Sequence, residues 1–234
     1  MNFNELNLSP EVLKGVEKAG FKECTMVQAN VLPLSLQGQD VMVQSKTGSG
    51  KTAVFLLTIF QRYLKKEGRS RALVVSPTRE RAVQIEEDAK LLSSGIDGYR
   101  VGCFYGGVGY EGQNTELKEG LDLYVGTPGR LLDFAHSRKI DFRQFDIVVL
   151  DEADRMFDMG FYPDIRNMFG MMRDKSGRQT MLFSATLSTK VRNLAWNYMN
   201  DPKEIEVQPE EITVKNITQK LYHVTKAEKF GMLL

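Results

Sequence analysis

A doubly wound α/β domain with a mostly parallel sheet and helices on both faces is the fold class this sequence predicts, on three observations. Short apolar runs recur as Val41-Met42-Val43, Ala72 to Val75, Val101-Gly102-Cys103-Phe104, Leu121 to Val125, Ile147 to Leu150 and Met181-Leu182-Phe183. Runs this short, and apolar throughout, are the pattern of strands buried on both sides. Between them lie longer stretches of helical periodicity, such as Ala53 to Leu64, Arg79 to Leu92, Gly129 to Ser137 and Lys190 to Met199. Strand and helix alternate, as a sheet with crossover helices requires. The distinctive motifs, finally, fall in loops after the apolar runs, and ligands of such sheets gather at the carboxyl ends of the strands.

The bulk properties agree with one sizeable domain. The chain has 234 residues, 42% of them hydrophobic, and a formal net charge of +1. That is enough to bury a core, and any nucleic-acid contact has to come from local loops rather than a globally basic surface. Cys24 and Cys103 stand far apart and outside any CxxC spacing, which argues against a disulfide framework or a zinc site and for a reducing cytoplasm. The chain opens without a basic start and apolar run, and no stretch of about 18 uninterrupted apolar residues occurs. The acidic Glu86-Glu87-Asp88 reads as a solvated helix face. Residues 1–207 are expected to form the globular domain, with a linker opening at Gln208 to Lys215, where Pro209, Glu210 and Glu211 break the alternation.

After the run at Val41 to Gln44 comes Ser45-Lys46-Thr47-Gly48-Ser49-Gly50-Lys51-Thr52, followed by the helical Ala53-Val54-Phe55-Leu56-Leu57. Strand, glycine loop and helix stand in the order that a phosphate-binding loop needs. Gly48 and Gly50 let backbone N–H groups turn inward around phosphate oxygens, and the helix start adds its positive dipole end. Lys51 would neutralise the β and γ phosphates, and Thr52 would ligate magnesium. The usual motif opens with glycine, where this one has Ser45. An independent sign is Ile147-Val148-Val149-Leu150-Asp151-Glu152, an apolar strand that ends in two carboxylates. Asp151 would hold Mg2+ largely through water, and Glu152 would orient or deprotonate the water attacking the γ-phosphate. Either carboxylate alone would pass for a helix cap, but a pair beside a phosphate loop does not.

The acidic pair continues as Asp151-Glu152-Ala153-Asp154, and here the sequence resembles the DEAD-box RNA helicase family. The resemblance covers nearly the whole chain: Pro77-Thr78-Arg79-Glu80, Gly106-Gly107, Thr127-Pro128-Gly129-Arg130 and Ser184-Ala185-Thr186 follow in the family's order. It implies a RecA-like N-terminal lobe of the P-loop NTPase class, with ATP and Mg2+ bound along Ser45, Lys46, Thr47, Gly48, Ser49, Gly50, Lys51 and Thr52. Phe21 and Thr25-Met26-Val27-Gln28 resemble the family's Q motif, in which the aromatic stacks on adenine and the glutamine reads its amino edge. Cys24 stands where the family commonly has proline. Lys51, Asp151 and Glu152 are the implied catalytic residues.

Three further loops would hold RNA. Pro77-Thr78-Arg79, Gly106-Gly107 and Thr127-Pro128-Gly129-Arg130 each follow an apolar run, so all three face one sheet edge. Glycines permit close approach, helix starts offer N–H groups and Arg79 and Arg130 offer charge, which suits a sugar-phosphate backbone gripped without reading bases. The resemblance assigns Ser184 and Thr186 hydrogen bonds to Asp154 that couple nucleotide state to strand opening. Arg81 departs from the family's PTRELA by replacing its leucine. If directed toward the RNA path, it adds a phosphate contact, and Arg81→Leu weakens RNA binding and lowers its salt slope.

The family works with two lobes, and 208–234 reads as a linker and the opening strand of the second, cut at Leu234. The implied function is an ATP-dependent RNA helicase or RNA-remodelling ATPase represented by one lobe. Such a fragment would be monomeric and nearly inactive without the arginines of the second lobe. A DNA helicase of the same superfamily and a non-catalytic nucleotide-gated RNA clamp are the alternatives.

Overall fold

The computed structural model describes residues 1–46, 48–207 and 225, so the expected linker and second-lobe strand lie outside the described residues. Their elements run α1 (Pro10–Lys18), α2 (Met26–Ser35), β1 (Val41–Gln44), α3 (Lys51–Lys65), β2 (Ala72–Val75), α4 (Arg79–Leu92), β3 (Val101–Phe104) and α5 (Glu111–Glu119). They continue with β4 (Leu123–Gly126), α6 (Pro128–His136), β5 (Ile147–Leu150), α7 (Ala153–Asp158), α8 (Tyr162–Gly170), β6 (Gln179–Ser184), α9 (Thr189–Tyr198) and β7 (Lys203–Glu206).

The strands form one parallel sheet in the order β3-β4-β2-β5-β6-β1-β7. Both faces are covered, and the alternation of side chains along each strand shows it. Val41 and Val43 join the core beneath α1 to α4, while Met42 joins the core beneath α6 to α9. Val74 and Val149 likewise point one way, and Leu73 and Val148 the other. Two packed faces are why these strands read as unbroken apolar runs.

The strand at Lys203–Glu206 has no such run. It pairs with β1 at the sheet edge, where Ile205 alone of its four residues packs against the core. An edge strand of alternating charge carries no burial signal and resists pairing with other chains. Strand β6 extends on both sides of its apolar centre because Gln179, Thr180 and Ser184 are buried polar residues.

One aromatic contact ties the fold to the loops above it. Phe55 on α3 and Phe183 on β6 are both fully buried, with ring centroids 5.5 Å apart. They fix the helix that begins at Lys51 against the strand that ends at Ser184. Phe183→Ala should therefore cost about 3–5 kcal/mol in urea unfolding, from lost burial and the cavity left behind. A loss under about 1 kcal/mol would contradict the packing described.

Candidate functional site

The glycine loop leaves β1 and enters α3 through Gly50, which adopts φ 90° as the residue before Lys51. A side chain there would be strained, and its Cβ would meet Gln28 Nε2 at 2.7 Å. Gly48 turns the loop with φ 80°, and Thr47 lies outside the described residues. Lys46 is exposed, while Ser45 is buried and its N–H donates to the Ser184 carbonyl at 2.9 Å. Among the described residues, the buried hydroxyls of Ser45 and Ser49 have no hydrogen-bond partner.

Gln28 is only 3% exposed, and its amide is fully engaged. Its Oε1 accepts from the Thr25 N–H at 2.8 Å, and its Nε2 donates to the Gly50 carbonyl at 3.1 Å. Thr25 Oγ1 in turn donates to the Ser49 carbonyl at 2.8 Å. These residues thus clamp the glycine loop itself. Thr25 was not singled out among the sequence candidates, although Thr25-x-x-Gln28 is a capping-box pattern, and both reciprocal bonds form. Phe21 is partly exposed, stacked on Phe3 at 6.1 Å, and lines a cleft of about 490 Å³ together with Gly48, Gly50, Lys51, Thr52 and Arg81.

Asp151, at the end of β5, has no solvent exposure. Its Oδ1 lies 3.3 Å from Lys51 Nζ, itself 3% exposed, and makes no hydrogen bond. Its Oδ2 lies 2.6 Å from Nη2 and 2.8 Å from Nε of Arg81. Arg81 Nη2 also donates to the Thr52 hydroxyl at 2.8 Å. The expectation of Arg81 on an RNA path is therefore corrected: from the first turn of α4 its side chain enters the cleft beside the glycine loop. Residue 81 lies in the first turn of the helix after β2, and β2 is the neighbour of β5, so a long side chain there reaches Asp151. Glu152 stands in the left-handed region, φ 54° and ψ 51°, as the residue before α7. That conformation is costly for a residue with a side chain and is a mark of functional positions. Its Oε2 accepts from Arg155 Nη1 at 3.3 Å.

The three loops expected to hold RNA follow β2, β3 and β4, which are consecutive neighbours at one end of the sheet. Thr78 caps α4 by accepting from the Arg81 N–H, Pro77 is buried, and Arg79 is exposed over the Tyr105 ring at 4.7 Å. Gly106, Gly107 and Gly129 are exposed, with Thr127 and Pro128 opening α6. Arg130 differs from its neighbours: it is buried, lies 4.1 Å from the Tyr110 ring centroid, and donates to the Val108 carbonyl at 2.9 Å. It braces the segment after Gly107, a contact that motif spacing does not reveal.

Between β5 and β1, the strands that carry the acidic pair and the glycine loop, stands β6. Asp154 Oδ2 accepts from the Thr186 N–H at 2.9 Å and from the Thr186 hydroxyl at 3.0 Å. The Asp154 N–H donates to Ser184 Oγ at 3.2 Å, and Ser184 Oγ donates to the Thr186 carbonyl at 2.8 Å. Burial pushes the Asp154 carboxyl up, but contacts from the Ser184 and Thr186 hydroxyls and from the Arg155 and Thr186 amides outweigh it and hold the group below its ordinary 3.8.

A parallel sheet with a glycine loop after one strand and a buried acidic residue two strands away defines the class of RecA-like P-loop folds. The sequence profile of the DEAD/DEAH box helicase family matches residues 25–194. The chain is 44% identical over 239 residues to the ATP-dependent RNA helicase RhlB of Shewanella frigidimarina, covering 99% of this chain and 55% of that protein. With RhlB of Serratia proteamaculans the identity is 46% over 238 residues, at 99% and 55% coverage. Among solved structures, a DEAD box protein from Methanococcus jannaschii superposes with a TM-score of 0.83 at 34% identity, covering 100% of this chain and 62% of that one. A hypothetical ATP-dependent RNA helicase from Sulfolobus tokodaii gives a TM-score of 0.78 at 37% identity, with 86% and 57% covered. The chain belongs to the DEAD/DEAH box helicase family, and it spans a little over half the length of these curated relatives.

The lowered Asp154 carboxyl makes a signed prediction. A depressed pKa contributes stability that is present above the unfolded value and is lost as the pH falls through the folded one. The difference in urea midpoint between the wild type and Asp154→Asn should be largest above pH 3.8 and shrink as the pH drops below it. A difference that grows toward acid would contradict the hydrogen bonds that Thr186 donates to the ionised Asp154.

Proposed function

We propose that this chain is the ATP-binding lobe of an RNA-dependent ATPase that remodels or unwinds RNA. The observation that carries the reading is the buried pair of Lys51 from the glycine loop and Asp151 from β5, 3.3 Å apart. The residues also fit magnesium. The buried Asp151 Oδ1 lacks a hydrogen bond, and the Thr52 hydroxyl and Asp151 Oδ2 converge on one cationic group. Thr52 and Asp151 would hold the ion. Magnesium, when bound, neutralises phosphate oxygens and makes the terminal phosphorus a better electrophile.

The chain's own residues do the rest. Backbone N–H groups of Gly48 to Lys51 and the start of α3 bind phosphate, and Lys51 places its ammonium on the terminal oxygens. Glu152 orients the attacking water and accepts its proton. Phe21 stacks on the base, and Gln28, tied to Gly50, relates base recognition to the phosphate loop. Arg79, Gly106, Gly107, Thr127 and Gly129 receive a sugar-phosphate backbone at the other end of the strand tops, with Pro77, Thr78, Pro128 and Arg130 shaping those loops. Asp154, Ser184 and Thr186 tie the loop after β5 to the loop after β6, beside the phosphate loop, and couple nucleotide state to strand opening. Turnover needs a second RecA-like lobe to complete the site, and the setting is cytoplasmic.

Phosphate release by the two-lobed protein, with and without single-stranded RNA, tests the reading. RNA should stimulate release, and Lys51→Ala should lower it by about a hundredfold or more, as loss of a preorganised phosphate-stabilising charge does. Stimulation by single-stranded DNA in preference to RNA would overturn the substrate class.

A further inference from the structure

Arg81 bridges the two groups that would hold magnesium. Its Nη2 lies 2.8 Å from Thr52 Oγ1 and 2.6 Å from Asp151 Oδ2, its Nε lies 2.8 Å from the same Oδ2, and its side chain is 12% exposed. Nη1 donates to Gln84 Oε1 at 2.9 Å, and Glu152 Oε1 lies 4.0 Å from Nε. A guanidinium and a divalent cation cannot share that space, and their charges repel at short range. Leucine, the family's usual residue at this place, has neither the charge nor the donors to do this. We propose that Arg81 is a tethered cation that holds the magnesium position of this cleft and yields it only when metal and nucleotide bind together.

Three features support the exchange. Asp151 is fully buried, and with Lys51 facing one oxygen the other is left for a further donor, the place Arg81 takes when metal is away. Arg81 sits in the first turn of α4, whose start its own N–H helps cap through Thr78, so the side chain can swing without moving the backbone. Gln84 and Asp88, farther along the same helix, line the same cleft and offer polar partners to the displaced guanidinium.

The inference rests on reading the cleft as a magnesium nucleotide site, and it predicts two effects of opposite sign. Without Arg81 the metal has one internal competitor fewer, so less magnesium is needed. Metal-free nucleotide, however, loses a positive charge beside its phosphates. The experiment uses the 234-residue chain and a fluorescent N-methylanthraniloyl ADP. Its affinity is measured in EDTA and across a magnesium series for the wild type, Arg81→Leu, Arg81→Gln and Arg81→Lys, with thermal melts to confirm folding.

Arg81→Leu should lower the magnesium midpoint about five- to tenfold and weaken metal-free binding by a similar factor, the loss expected for one charge-assisted contact. Arg81→Gln should shift both in the same directions should the leucine variant fold poorly. Arg81→Lys, which keeps the charge, should keep metal-free binding. A magnesium midpoint within about twofold of wild type in both neutral variants would overturn the proposal, since that is less than one hydrogen bond is worth. No nucleotide binding by the wild type at any magnesium concentration would instead refute the reading of the cleft, and the inference with it.

Discussion

A carboxylate with no access to water is stable in ionised form only where cations face it, and Asp151 has two. Lys51 arrives from the start of α3 and Arg81 from the start of α4, so one charge fixes the relative placement of two helices and two strands. The Thr52 hydroxyl joins the same group through Arg81. Because pairs of this kind are costly to break but seldom stabilising compared with apolar packing, their presence in the cleft speaks for chemistry rather than for fold stability.

The order of strands arranges everything else around that carboxylate. Loops after β3, β4 and β2 lie at one end of the row, and the loops after β5 and β1 carry the acidic pair and the glycine loop. Strand β6 runs between β5 and β1, and its last residue, Ser184, accepts the Asp154 N–H while its carbonyl receives the Ser45 N–H. Ser184 is thus hydrogen-bonded both to the start of the glycine loop and to the Asp154–Thr186 contact. Phe55 and Phe183 make the base of this connection rigid.

Much of this was legible in the sequence, for a physical reason. Strands packed on both faces must be apolar at every position, so Ala72–Val75, Val101–Phe104 and Ile147–Leu150 stand out at their observed bounds. Glycine loops and paired carboxylates are short-range patterns, and the structure brings Lys51 and Asp151 together as those patterns imply. Lys203–Glu206 was hidden because an edge strand buries one face only. The destination of Arg81 was hidden because a helix-start position says where a side chain begins, while its end is decided by which strand lies next door. For Arg130 the partner is Tyr110 on a separate loop, a tertiary contact with no local signature. Thr25, by contrast, is readable through its capping box with Gln28.

Asp151 and Arg81, joined by two contacts to one carboxylate oxygen, form one energetic unit. A double-mutant cycle of Asp151→Asn, Arg81→Leu and the pair, followed by urea unfolding in the absence of nucleotide, measures this directly. The account predicts a coupling of about 1 kcal/mol or more, with the double variant more stable than the sum of the single losses implies. Additivity within about 0.3 kcal/mol would contradict it.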